Sequence, residues 1–241
     1  VLERQPDIRR AHELYLLGKR LDGRREWFYA TRNMSGDELK LAAVLAHRWG
    51  WHDRAIISAT QANHWSDLTL RFPLPHRESI LANATRYEVD PGLIYGVIRQ
   101  ESIFMEDAVS SVGALGLMQL MPATGKQTAR ALNIRYRSNQ ALLRSDQNIQ
   151  LGSAYLNRLM TRYNGSPVLA AAAYNAGPHR VARWLPTEGD MDAALWAELI
   201  PFRETRKYVR RVLAYATIFD WRLEQPLTRL STRLPEVKQR Y

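Results

Sequence analysis

The stretch DPGLIYGVIRQESIF, Asp90 to Phe104, sets the tightest limits on what this chain can become. Asp90 is suited to cap a helix, and Pro91 suits its first turn, where the missing N–H has no partner to lose. Leu93, Ile94, Val97 and Ile98 recur at helical spacing and define one apolar face. Glu101 follows Val97 by four residues and Ile98 by three, so it projects from that same face. A carboxylate on the buried side of a helix is costly unless it is paired, hydrogen-bonded or protonated. Two readings compete. Either Glu101 is a structural group bridged to one of the chain's many arginines, or burial lifts its pKa from about 4.3 into the range of a proton donor. The helix alone favours the structural reading, and the motifs that follow it reverse that preference.

With 241 residues, the chain is long enough for one large domain or two modest ones with real cores. Hydrophobic residues make up 46%, which predicts a globular protein rather than a disordered one. No cysteine is present, which excludes disulfides, thiolate metal sites and a cysteine nucleophile. No apolar run is long enough to span a bilayer as a helix. The chain starts at Val1 rather than Met and shows no signal peptide. A processed or truncated chain is therefore expected, with any targeting segment missing. The net charge of +10, from 34 Lys+Arg against 24 Asp+Glu, suits an anionic partner such as nucleic acid, a membrane surface or an acidic cell-wall polymer. No zinc-finger spacing or RNP-like aromatic motif supports the first of these.

Residues 1–74 read as a run of helices, expected near Asp7 to Lys19, Arg24 to Arg32, Ser35 to Gly50 and Trp51 to Gln61. Ser35 stands three residues before Glu38, a capping-box pattern. Trp27, Trp49, Trp51 and Trp65 are placed to lock helix pairs together, and the pairing resembles a helical solenoid or stacked hairpins. Arg71 to Glu78 contains two prolines in four residues and is the predicted domain boundary. Beyond Glu101, Gly113 and Gly116 predict a tight turn or a close backbone approach. Gln119 lies alone among Leu117, Met118, Leu120 and Met121 and must find a hydrogen-bond partner. Further helices are expected from Pro122, from Gln147 to Tyr163 with Ser145 or Asp146 as cap, and through the alanine-rich run ending at Gly177-Pro178. Others are expected from His179 to Leu185, from Asp190 to Ile200 and from Glu204 to Trp221. Residues 223–241 read as a polar, basic tail, extended or partly disordered, with solvated charges.

Four blocks carry a family resemblance: IRQES with Glu101-Ser102, GLMQLMP from Gly116 to Pro122 with Thr124, AYNAGP from Ala173 to Pro178, and IPFRETRKYV from Ile200 to Val209. In order and spacing they resemble the soluble lytic transglycosylases, whose catalytic domain is similar to goose-type lysozyme. The resemblance covers residues 75–222, and residues 1–74 look like the helical linker that precedes this domain in the large, ring-shaped members. It implies a mainly α fold with very little strand: a helical linker or solenoid fragment at 1–74, a lysozyme-like catalytic domain at 75–222 and the basic tail at 223–241. A further upstream solenoid would then be absent from this chain.

Position by position, the resemblance implies that Glu101 is the single catalytic acid and base. Ser110 contacts the substrate sugar. Gln119 lines the groove as a hydrogen-bond donor and Met121 as an apolar contact. Tyr174 faces the catalytic carboxyl, with Asn175 as a polar neighbour. Glu204 lies near the peptide side of the substrate, and Tyr208 one turn beyond it. An acidic residue at a helix start is also favoured by the helix dipole alone, so Glu204 keeps a purely structural alternative. Leu115 departs from the pattern, since relatives often carry a small polar residue there.

Most glycosidases use two carboxylates. Glu106 and Asp107 are close in sequence to Glu101 but lie in a polar loop at positions the family does not use. A one-carboxylate mechanism fits this inventory: Glu101 acts as acid, the substrate's acetamido group assists, and Glu101 then acts as base, leaving a 1,6-anhydro end on N-acetylmuramic acid. A pKa near about 6 would serve both steps. No cofactor is implied. The histidines His12, His47, His52, His64, His76 and His179 are scattered, so no metal is implied either. The expected partner is the peptidoglycan glycan strand, with no nucleic acid and no transmembrane segment, for a monomer acting in the periplasm. Three alternatives stay open. One is a lysozyme-type hydrolase on the same fold, one an inactive cell-wall-binding protein, and one a basic nucleic-acid binder resting on Arg206 to Arg211. That last run alternates with apolar residues around a helix and reads better as a solvated face.

Overall fold

Helices supply all the extended regular structure among residues 2–239, the span described by the computed structural model. Only isolated bridges interrupt this pattern, at Val109–Leu115, Leu115–Leu120 and Met191–Val237. The chain divides into two units, one holding residues up to Pro75 together with Ile103–Asp107, the other holding His76–Ser102 and the chain from Ala108 onward.

The first unit contains α1 (Pro6–Leu16), α2 (Arg20–Thr31), α3 (Gly36–Arg48), α4 (His52–Gln61) and the single turn α5 (Leu68–Arg71). Helix α1 packs on α2 and α3 on α4. Ser35 caps α3 through the complete box: its hydroxyl accepts from Glu38 N–H, and the Glu38 carboxylate accepts from Ser35 N–H. Helix α2 begins four residues before the expected Arg24. Gly23 lies inside it because its bare Cα faces the backbone of α1, where an added Cβ would stand 3.1 Å from Ala11 O. Trp27, Trp49 and Trp51 do form an aromatic core, with Trp51 edge-on to Trp27 at 5.4 Å and stacked on Tyr15 at 4.5 Å. Trp65 does not join them. It is half exposed and lies under the Arg71 guanidinium at 4.9 Å.

The segment Ile103–Asp107 is tied into this unit by charge. Arg20 pairs with Glu106 at 2.6 Å, and Arg24 reaches both Asp53, at 3.1 Å, and Asp107. Ile103 and Phe104 both adopt left-handed backbone angles, an uncommon state for a β-branched residue and a bulky aromatic one.

The second unit contains α6 (Arg77–Tyr87), α7 (Pro91–Glu101), α8 (Pro122–Ala131), α9 (Ser145–Arg162), α10 (Pro167–Ala176), α11 (Pro178–Trp184), α12 (Ala193–Leu199) and α13 (Arg203–Arg222). The α7–α13 pair is its most extensive helix contact. Gly96 permits that approach, since a Cβ there would stand 2.7 Å from Val212 O. Helix α10 packs against α9, α11 and α13, and its run from Ala170 to Ala173 is buried because only methyl-sized side chains fit between them. Two caps differ from expectation. Asp192, not Asp190, caps α12 by accepting from Leu195 N–H at 2.8 Å, while Asp190 pairs with Lys238. Helix α9 has no side-chain cap, and Ser145 is already its first helical residue.

The solvated, extended tail is overturned at two points. Arg233 is 3% exposed and pairs with Asp220 at 2.7 Å and with Asp90, the N-cap of α7. Val237 is fully buried, and its backbone pairs with Met191. Composition classed these residues with the surface because it counts charges without their partners. A buried aspartate at the end of α13 requires a cation, and the tail supplies it.

Candidate active site

Glu101 is the last residue of α7. The helix is started by Asp90, whose carboxylate accepts from Gly92 N–H at 2.7 Å, and it buries Leu93, Ile94, Tyr95, Val97 and Ile98. Each such aliphatic side chain contributes roughly 1.5–3 kcal/mol on burial. Together they fix the face from which Glu101 points. Ser102 ends the helix, with both its N–H and its hydroxyl donating to Ile98 O.

Burial pushes the Glu101 carboxyl up to about 7. A hydrogen bond from Tyr208 opposes that rise, and the nearby negative charge of Glu204 adds to it. The helix C-terminus acts in the same direction as burial, because its carbonyl dipoles disfavour a second negative charge. The Tyr208 hydroxyl donates to Glu101 Oε1 at 2.7 Å. Burial raises both Tyr208 and Tyr174 well above the ordinary tyrosine value, with the Glu101 charge adding to each, so both stay protonated donors at neutral pH. The result is an acid able to hold a proton near neutrality and stabilised by one phenol when it loses it.

The loop between α7 and α8 forms the adjoining wall. Gly116 has φ +76°, and a Cβ there would stand 2.2 Å from Leu142 O, so no other residue fits. Asn148, fully buried on α9, holds the loop by two bonds, its Oδ1 accepting from Met118 N–H at 2.7 Å and its Nδ2 donating to Leu115 O, and Nδ2 also donates to Leu142 O in the segment before α9. Met118 is fully buried over Gly152. Gln119 takes a left-handed backbone, φ 45°, and donates from Nε2 to Gly116 O at 2.8 Å and Ala108 O at 3.2 Å. Met121 is 43% exposed. On the α10–α13 side, Asn175 accepts from the Thr205 hydroxyl at 2.7 Å. Asn175 and Glu204 line one cleft of about 490 Å³ with Arg180, Phe202 and Arg203.

A family model described as the transglycosylase SLT domain matches residues 78–197, one described as the soluble lytic murein transglycosylase L domain matches residues 1–68, and one described as the soluble lytic transglycosylase helical domain matches residues 199–227. This chain belongs to the soluble lytic transglycosylase family. The soluble lytic murein transglycosylase of Escherichia coli K12 is 33% identical over 222 residues, 91% of this chain. That of Salmonella typhimurium is 34% identical over 216 residues, 89% of this chain. The X-ray structure of an inactive variant of the lytic transglycosylase Slt from Pseudomonas aeruginosa superposes with a TM-score of 0.90 at 43% identity, covering 97% of this chain and 38% of that one. The chain spans about a third of the length of the curated relatives it matches, 34% in both bacterial examples.

As a member of the soluble lytic transglycosylases, the chain brings Glu101, Tyr208, Tyr174 and Glu204 into one electrostatic neighbourhood. The hydroxyl bonded to the carboxyl is that of Tyr208; Tyr174, close enough for the Glu101 charge to act on it, donates its own hydroxyl to Met118 O at 2.9 Å, and its ring lies beside Tyr155. Gln119 uses both amide hydrogens on the backbone of its own loop, so the group it has left is an acceptor oxygen rather than a donor. Ser110 Oγ accepts from Ala114 N–H at 2.9 Å, closing the turn. Three supporting residues escaped the sequence reading: Asn148, Thr205 and Arg233. Asn148 alone left a legible trace, as a polar residue beside Ile149 at the start of the buried face of α9.

Proposed function

We propose that this chain is a lytic transglycosylase of peptidoglycan, cleaving the β-1,4 bond between N-acetylmuramic acid and N-acetylglucosamine without water. The single observation that carries the reading is Glu101, held near a pKa of about 7 by burial and bonded by Tyr208. Peptidoglycan lies outside the cytoplasmic membrane, so the proposed place of action is the periplasm.

In the proposed reaction, protonated Glu101 donates to the glycosidic oxygen, and the C1–O bond breaks with its electron pair on the leaving sugar. The substrate's acetamido oxygen stabilises the electron-poor anomeric carbon, the substrate-assisted route. Glu101, now a carboxylate stabilised by the Tyr208 hydroxyl, takes the proton from the C6 hydroxyl. The C6 oxygen closes on C1, giving the 1,6-anhydro end and returning Glu101 to its protonated state. A pKa near 7 suits a group that must both give and take a proton at neutral pH.

The fate of the neighbouring carboxylates supports one acid over two. Glu106 and Asp107 are committed to Arg20 and Arg24. Glu204 is the carboxylate whose charge reaches Glu101, where it raises the acid's pKa. Ser110, Gln119, Met121, Asn175 and Glu204 are the proposed substrate contacts.

The test is a digest of purified peptidoglycan by the chain and by Glu101→Gln, with products weighed by mass spectrometry. Products lighter than hydrolytic fragments by one water, lacking a reducing end and absent with Glu101→Gln, are expected. Reducing-end products would instead assign a lysozyme-type hydrolase. Binding without products from the unaltered chain would assign a cell-wall-binding protein.

A further inference from the structure

Between α8 and α9 the chain forms an open cleft of about 590 Å³ whose lining includes Arg135, Arg137, Ser138, Gln140, Arg144 and Gln147. No carboxylate lines it. The three arginines are exposed, and none of their guanidinium groups has an ion-pair or hydrogen-bond partner from the chain among the described residues. Arg10, Arg20, Arg24, Arg54, Arg210 and Arg233 each engage an acid, whereas here three arginines converge on one cleft with no acid among its lining residues.

The segment that carries these charges is anchored. Leu142, fully buried, packs against Gly125, and its carbonyl accepts from Asn148. Tyr136 donates to Asn139 at 3.1 Å, and Gln147 donates to Arg135 O at 3.4 Å. Like charges gathered on a fixed scaffold repel one another, and an anion from outside the chain relieves that repulsion.

We propose that this cleft is an anion site for an acidic peptide, the carboxylate-bearing stem carried by the glycan strand. The identity of the ligand rests on the function proposed above. A guanidinium fork matches a carboxylate with two parallel hydrogen bonds. Ser138, Gln140 and Gln147 add neutral donors and acceptors suited to peptide amides. The cleft, at about 590 Å³, is roomy enough to seat a short peptide segment. No aromatic ring lines the cleft, so it lacks the stacking platform that single-stranded nucleic acid uses. The cleft also shares an anchor with the proposed groove. Asn148 bonds Leu142 on the cleft side and Leu115 and Met118 beside Gln119.

The test titrates the chain with free stem peptide released from peptidoglycan by an amidase, beside the triple variant Arg135→Ala, Arg137→Ala, Arg144→Ala. All three side chains are exposed, so the variant is expected to fold, and circular dichroism checks this. Peptide affinity is expected to fall at least about tenfold in the variant, with partial rescue by the triple Lys exchange. KM for peptide-bearing strands should rise while kcat and the cleavage of amidase-stripped strands hold. Equal peptide affinity in the chain and the triple Ala variant overturns the proposal. So does binding of tripolyphosphate with none of the peptide, which would make this a phosphate site. The titration needs no cleavage. Peptide bound at the arginines by a chain that yields no anhydro products therefore supports this site while refuting the proposed reaction. Anhydro products from a chain blind to the peptide refute only this site.

Discussion

Tyr208 donates its hydroxyl to Glu101 Oε1 at 2.7 Å, joining residues 107 positions apart in the chain. The bond runs between α7 and α13, the closely packed pair that Gly96 allows to approach. It favours the charged carboxylate, whereas burial and Glu204 favour the protonated acid. The behaviour of Glu101 is the balance of these effects, and each can be altered separately.

Tyr208→Phe removes the one bond that favours the carboxylate. The Glu101 pKa should move further above 7, carrying the pH–rate profile upward. A hydrogen bond to a charged group contributes about 1.5–3 kcal/mol, so kcat should fall roughly 10- to 100-fold. Turnover of peptidoglycan followed from pH 5 to 9 checks both effects. An unmoved profile would remove Tyr208 from the acid's environment.

Glu204→Gln should move the profile the other way. Glu204 raises the Glu101 pKa, so neutralising it lowers that pKa, and activity dependent on the protonated acid is lost at lower pH than in the parent. Opposite shifts in Tyr208→Phe and Glu204→Gln are the expected signature. A loss of thermal stability with no change in the profile would leave Glu204 as a helix-start residue alone.

Glu101→Gln should stabilise the fold at high pH. The folded carboxyl has its pKa raised from 4.5 to about 7. Below pH 4.5 it is protonated in both folded and unfolded chains, and its ionisation costs the fold nothing. As pH rises from 4.5 through 7, the unfolded chain ionises first, and stability is lost along that window. Above it the loss is complete, on the order of 2 kcal/mol once partial solvent screening is allowed for. Denaturant unfolding at pH 4 and pH 8 should therefore show the variant's advantage appearing only at the higher pH.

Arg233→Met should cost about 3–5 kcal/mol, because Asp220, 3% exposed, loses its buried cation. Asp90 would keep its bond to Gly92 N–H and continue to cap α7. Guanidinium unfolding measures the loss. A cost below about 1 kcal/mol would mean that water reaches Asp220 readily.

Local structure was legible in the sequence wherever neighbours in the chain decide it. The Ser35 capping box, the Asp90-Pro91 start of α7, the close approach at Gly116 and the apolar face that buries the root of Glu101 all depend on contacts a few residues apart or on a fixed helical period. Helix starts without a side-chain cap were less clear. Helix α9 begins after Arg144 with no capping hydrogen bond, so neither Ser145 nor Asp146 marked it correctly.

By itself, the sequence determined that this chain is helical, that one glutamate sits on a buried helix face, and that charged arginines outnumber their acids. These properties follow from composition and from periods of a few residues. Only the tertiary structure decided which partner each polar group meets. It gave Glu101 to Tyr208 rather than Tyr174, committed Glu106 and Asp107 to arginines, buried Arg233 against Asp220, and left Arg135, Arg137 and Arg144 unpaired. A hydrogen bond or ion pair depends on distances of a few ångströms between residues far apart in the chain, and only packing sets those distances.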